Sequence, residues 1–145
     1  NNISPDGPVY QAGTLSGNPV AVSAGTALLK QLKNKKMFSE LERKGEIFLK
    51  GLKEEAKKNG IPFCYNIRGG MFGFFFSNKL PKNFQEVSDT NISMFNKFFR
   101  LMLEQNVYLP PSAFESCFLS TEHTQEQLMK TVKLSSNVFK NLNNG

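Results

Sequence analysis

The stretch IPFCYNIRGGMFGFFF, residues 61–76, limits what this 145-residue chain can fold into more than any other segment. It is dense in aromatic and branched residues, which suit a pleated strand, and Gly69-Gly70 divides it in the middle. The pattern predicts two strands joined by a tight turn. Such a pair needs helices from elsewhere in the chain to cover one of its faces.

Helical patterns stand on both sides of it. Asn18-Pro19 is a helix start, since Asn can cap and Pro suits the first turn. Ala21, Gly25, Leu28 and Leu32 then recur at helical spacing, and the small residues Ala21, Ala24 and Gly25 would let a neighbour come close. Phe38, Leu41, Gly45, Phe48 and Leu52 predict a second, amphipathic helix over 36–58, ended by Asn59-Gly60. Beyond the hairpin, SNKLPKNFQEVSD reads as a polar connection. Ile92, Phe95, Phe99 and Met102 mark a third helix that stops near Asn106. VYLPPSAFESCFLS is strand-like at both ends of a Pro-Pro bend. Thr124-x-x-Gln127 forms a capping box ahead of Leu128, Val132, Ser135, Phe139 and Leu142. The order predicts an α+β fold: a short, mainly antiparallel sheet covered by helices on one side.

Composition excludes several classes. Hydrophobic residues make up 39% and charged residues 21%, which is globular rather than disordered. Eighteen Lys+Arg against 12 Asp+Glu leave +6, so nucleic acid has to be considered. The lysines, however, are interspersed with Glu40, Glu42, Glu46, Glu54 and Glu55, as on a solvated helix face. Arginine, the usual base reader, occurs only at 43, 68 and 100. The expectation is therefore no nucleic acid. Two cysteines and one histidine are too few for a disulfide scaffold or a zinc site. MFGFFF is too short to cross a bilayer and no leader pattern is present, so a cytoplasmic protein is expected. The opening NNISPDGP, without Met or a periodic pattern, reads as cut from within a longer chain.

Chemistry could reside in VYQAGTLSGNP. The backbone and hydroxyls of Gly13, Thr14 and Ser16, beside the positive end of a helix dipole, can hold a phosphate or carboxylate. The same residues also make an ordinary turn and cap. The glycine spacing fits neither a Walker loop nor a dinucleotide fingerprint. Cys64 and Cys117 read as core-lining residues, and His123 as a polar first-turn residue. The FGFFF strand is core or domain-interface material. Phe95, Phe98 and Phe99 read as helix packing, with Phe98 turned toward a further domain.

GPVYQAGTLSGNPVAVSAG resembles the segment that follows the cofactor lysine in the class III aminotransferase-like group of fold-type-I pyridoxal-phosphate enzymes. It is similar above all to the branch of aminomutases acting on glutamate 1-semialdehyde. RGGMFGFFF is similar to the strand pair of that family's small domain, and LPPSAFESCFLSTEHT to its late loop. Three motifs in the right order span the whole sequence.

The resemblance implies an isomerase that forms 5-aminolevulinate for tetrapyrrole synthesis, with pyridoxal phosphate as cofactor, a small-molecule substrate and a homodimeric assembly. It implies that Gly13 and Thr14 bind the cofactor phosphate across the dimer interface. Tyr10 and Gln11 then stand at the same subunit boundary, and Glu115 in the active-site region. Residues 1–17 become an interface and phosphate loop from the large-domain side, and 18–145 a C-terminal small domain with a linking helix region over 18–58. Arg68 falls in the small domain, where a strand-end surface charge is the plainer reading. The Schiff-base lysine, the ring-stacking aromatic and the acid facing the pyridine nitrogen belong to an upstream segment. No catalytic residue is therefore expected here, and the sequence alone is expected to be inactive. Another class III aminotransferase, acting on an ω-amine or ornithine-like substrate, and a stand-alone interaction module are the alternatives.

Overall fold

The computed structural model describes residues 1–143. The chain falls into two compact units, 1–35 and 36–145. The first holds a short turn region and helix α1 (Pro19–Leu32), which buries none of its residues. The second contains α2 (Lys35–Lys58, its first residue shared with the preceding unit), β1 (Cys64–Arg68), β2 (Met71–Phe75), α3 (Phe84–Ser88), α4 (Ile92–Glu104), β3 (Cys117–Phe118) and α5 (Gln125–Asn143).

The hairpin forms as its composition predicts. β1 and β2 pair antiparallel, with Ile67 opposite Phe72 and Tyr65 opposite Phe74. β3 adds to the far edge of β2, with Cys117 opposite Phe72 and Phe118 opposite Met71. Partners across a strand pair share a face. Tyr65, Ile67, Phe72, Phe74 and Cys117 therefore point to one side, where the core lies. Asn66, Arg68, Met71, Gly73, Phe75 and Phe118 occupy the other.

The helices cover the core side with the faces their periodicity announces. α2 buries Leu41, Gly45, Phe48, Leu49, Leu52 and Ala56. α5 buries Leu128, Val132, Ser135, Phe139 and Leu142. Gly45 lets α2 sit close to the sheet: a Cβ there would overlap Ile67 Cδ1, so any side chain would require Ile67 to turn aside. Two helices end alike. Gly60, at φ 66°, donates its N–H to Lys57 O while Ile61 donates to Ala56 O. Asn106, at φ 60°, does the same with Leu103 O, and Val107 with Met102 O. Both are left-handed terminations that satisfy the last carbonyls of a helix.

Three expectations are corrected. The polar connection contains a short helix, α3, capped by Asn83, whose side chain accepts the Glu86 N–H. Only the second half of VYLPPSAFESCFLS is a strand; Val107 is used up closing α4, and Pro110 and Pro111 have no N–H to offer a ladder. Phe98 does not turn toward a further domain. It is fully buried, with Phe95 and Met102 beside it on the inner face of α4, while Phe99 is half-buried. The inner stripe follows 95, 98 and 102 because α4 packs on α5 through Phe98 and Phe139.

Candidate functional site

The loop ahead of α1 is built from turns. Ser16 N–H donates to Gly13 O at 2.9 Å and Asn18 N–H to Leu15 O at 3.0 Å. Gly17 sits at φ 77°, a left-handed conformation that costs a side-chain-bearing residue dearly. Asn18 Oδ1 accepts the N–H groups of Val20 and Ala21, each at 3.1 Å. The turn-and-cap reading is thus realised in full. It also occupies two of the free N–H groups at the start of α1, so an anion would depend on donors of the loop itself.

Those donors are on offer. Tyr10, Gln11, Gly13 and Thr14 follow one another on the exposed run, and the Thr14 hydroxyl has no protein partner among the described residues. A Cβ on Gly13 would lie 3.0 Å from Ser16 Oγ, so glycine keeps backbone and hydroxyl close together there.

Glu115 belongs to the second unit, in the turn that leads into β3. Its N–H donates to Ser112 O at 3.1 Å, and Ser112 Oγ accepts the Phe114 N–H at 3.2 Å. The carboxylate is exposed. It adds to the rise of the Cys117 thiol to about 12, which burial mainly causes. A thiol held so far from ionisation is no nucleophile, and Cys64, also buried and raised by burial, is none either. Cys117 lines the core, as expected; Cys64 is buried too, but on the other side of the sheet opposite Phe75, with its thiol donating to Lys79 O at 3.3 Å.

Arg68 is the exposed last residue of β1. His123 lies at the entrance of α5, where Thr124 and Gln127 cap each other as the box predicts. Its Nδ1 accepts the Ser120 N–H at 3.0 Å. Lys44, read from sequence as part of a solvated face, instead holds this loop: its Nζ donates to the carbonyls of Thr121 and His123 at 3.1 and 2.9 Å. No sequence pattern signals that contact, because the acceptors are backbone oxygens far away in the chain. The described residues contain no group of His, Cys, Asp and Glu that could hold a metal, and no helix long and apolar enough to cross a membrane.

A family model for aminotransferase class-III matches residues 1–133. The chain belongs to the class III aminotransferases. Among its relatives, glutamate-1-semialdehyde 2,1-aminomutase 2 of Bacillus licheniformis is 44% identical over 97% of this chain and 32% of its own length. Glutamate-1-semialdehyde 2,1-aminomutase of Persephonella marina is 45% identical over 97% of this chain and 33% of its own. The chain thus spans about a third of the curated relatives it matches. The fold is shared with a solved transaminase with PLP bound (TM-score 0.74, 18% identity, 94% of this chain and 30% of the other). It is shared as well with an omega-transaminase from Sphaerobacter thermophilus (TM-score 0.68, 18% identity, 96% and 31%). The α+β architecture expected from the sequence is that of the small domain in this class III fold.

Proposed function

We propose that this chain serves as the C-terminal part of a glutamate-1-semialdehyde 2,1-aminomutase, a cytoplasmic homodimer that converts glutamate 1-semialdehyde to 5-aminolevulinate for tetrapyrrole synthesis. The observation that carries this reading is the recurrence of that one activity among relatives 42–45% identical over nearly the whole chain. Pyridoxal phosphate, when bound, supplies the carbonyl and electron-withdrawing ring on which amino groups are exchanged.

The loop fits the phosphate end of that group. Thr14 offers an uncommitted hydroxyl, and the glycine at 13 leaves the backbone approachable. A hydroxyl and backbone N–H groups suit a dianion, because hydrogen bonds to a charged acceptor are about twice as strong as neutral ones. Thr14 would hold the phosphate of the partner subunit's cofactor through its hydroxyl, with Tyr10 and Gln11 at the boundary. Glu115, on its exposed turn, orders groups that face the substrate. The lysine that carries the cofactor covalently comes from outside these residues.

The test is an assay of the whole protein with glutamate 1-semialdehyde. The expected result is 5-aminolevulinate. Turnover of an ω-amine with no 5-aminolevulinate would overturn the assignment in favour of another class III aminotransferase.

A further inference from the structure

Helix α3 has five residues and buries none of them. A helix this short does not hold in water on its own, and side chains at its start fix it. Asn83 Oδ1 accepts the Glu86 N–H at 2.9 Å. The Glu86 carboxylate in turn accepts the Lys82 N–H at 3.0 Å and the Asn83 side-chain amide at 2.8 Å. Beyond the end of α3, the Asn91 N–H donates to Phe76 O at 3.2 Å, which ties the segment to the exit of β2. The first residue of this fixed helix is Phe84. Its ring meets that of Phe114, with centroids 5.2 Å apart and planes at 31°.

Phe114 is the residue before Glu115. The turn that carries both is anchored on either side: Ala113 is buried in the core, and Cys117 is buried in β3 opposite Phe72. Between these anchors, Phe114, Glu115 and Ser116 keep their side chains outside the core. The two hydrogen bonds to Ser112 close the turn. They act within four residues, so they shape the turn without fixing its tilt against the rest of the domain. The Phe84 ring supplies a contact from outside it. Aromatic pairs favour defined offset and tilted geometries, so they restrain direction as well as distance. Both rings belong to residues 36–145, and their contact does not depend on what else covers them.

We propose that Phe84 is a positioning residue for Glu115: its ring seats Phe114, and so sets the direction in which the neighbouring carboxylate is presented to the groups that face the substrate. This rests on the role given to Glu115 above. Phe84 itself touches no reacting group and acts through the backbone of one turn. Displacing a residue that orders reacting groups by about 1 Å can cost up to about a hundredfold in rate. A contact of small energetic weight then has a large kinetic one.

The experiment uses the whole protein, assayed with glutamate 1-semialdehyde, and variants whose folding is verified by thermal melts. Phe84→Ala should lower kcat/KM by about tenfold, and Phe84→Tyr, which keeps the ring, should restore it. Phe114→Ala removes the same contact from the other side and should show the same loss. In a Glu115→Gln background, Phe84→Ala should cost less than about twofold, since residues that act as one unit are not additive. Hydrogen exchange read by mass spectrometry should show the amides of Phe114 and Glu115 exchanging about threefold faster in Phe84→Ala. The proposal is overturned if Phe84→Ala or Phe114→Ala leaves kcat/KM unchanged, or if Phe84→Ala leaves that exchange unchanged. It is overturned equally if Phe84→Tyr fails to restore turnover, or if the whole loss persists beside Glu115→Gln. Undiminished kcat/KM in Glu115→Gln alone is a distinct outcome, which overturns the role of Glu115 and this proposal with it.

Discussion

Phe98 of α4 and Phe139 of α5 stack with ring centroids 5.1 Å apart and planes at 28°, and neither exposes any surface to water. Phe63 and Phe74 reach the same rings from the sheet side in edge-on contacts, Phe63 against Phe139 and Phe74 against Phe98. This pair is where helices and hairpin meet, so the cohesion of residues 36–145 depends on it. Phe98→Ala should lower the unfolding free energy by about 3–5 kcal/mol, the usual cost of emptying an aromatic site in a packed core. Urea unfolding monitored by circular dichroism measures it. A loss under about 1 kcal/mol would show that the site collapses or is loosely packed.

Gly70 should tolerate no side chain. A Cβ there would meet the Leu119 carbonyl oxygen at 2.7 Å, and Leu119 N–H already donates to Gly70 O at 2.8 Å. The obstacle is backbone, so Gly70→Ala must displace β3 or open the turn. A destabilisation of about 1–3 kcal/mol is expected, as for overpacking. Gly60→Ala supplies a contrast, because nothing stands within 4 Å of its Cβ position and only the left-handed backbone at φ 66° opposes it.

Alkaline pH should release stability through Cys117. Its thiol is raised from 9.0 to about 12 by burial first and by the Glu115 carboxylate second. Folding therefore favours the protonated form. The contribution is complete below the unfolded value near 9 and is lost as pH rises from there to about 12. The full displacement corresponds to roughly 4 kcal/mol. Wild type and Cys117→Ala should accordingly converge in melting temperature as pH climbs through that window, which differential scanning fluorimetry can follow. Parallel curves would contradict the assignment to this thiol.

Thr14→Val keeps the shape of the loop residue and removes its hydroxyl. In the whole protein, the affinity for pyridoxal phosphate should fall by about tenfold to a hundredfold, the worth of a hydrogen bond to a charged group. Equilibrium dialysis measures it. The chain alone should give no single lysine trapped by borohydride in the presence of the cofactor, as read by peptide mass spectrometry.

The sequence carried the fold wherever local chemistry decides structure. Asn18-Pro19, Asn59-Gly60, Gly69-Gly70 and Thr124-x-x-Gln127 each mark a cap or turn, and each appears where its chemistry puts it. Errors arose where tertiary context outvotes spacing. Both 95/98/102 and 95/99/102 satisfy helical periodicity, and only packing on α5 selects the stripe that contains Phe98. Val107-Tyr108-Leu109 has strand composition, but its first N–H is spent on the end of α4. The neighbourhood of Gly73 is invisible as a motif, since Asn66 and Ser116 are fifty residues apart and come to flank it only through register. Family resemblance pointed to Thr14 and Glu115, which no periodicity singles out.

The lack of any buried residue in α1 has a calorimetric consequence. The heat-capacity increment of unfolding comes from apolar surface newly wetted, about 12–15 cal/mol/K per residue in an ordinary domain. A helix that buries none of its residues fully adds little. The increment of this chain should therefore come mainly from the packed core within residues 36–145, and α1 should fray over a broad temperature range without a peak of its own. Its fourteen residues would exchange their amide protons long before the core does, at a rate governed by the Asn18 cap and helix propensity.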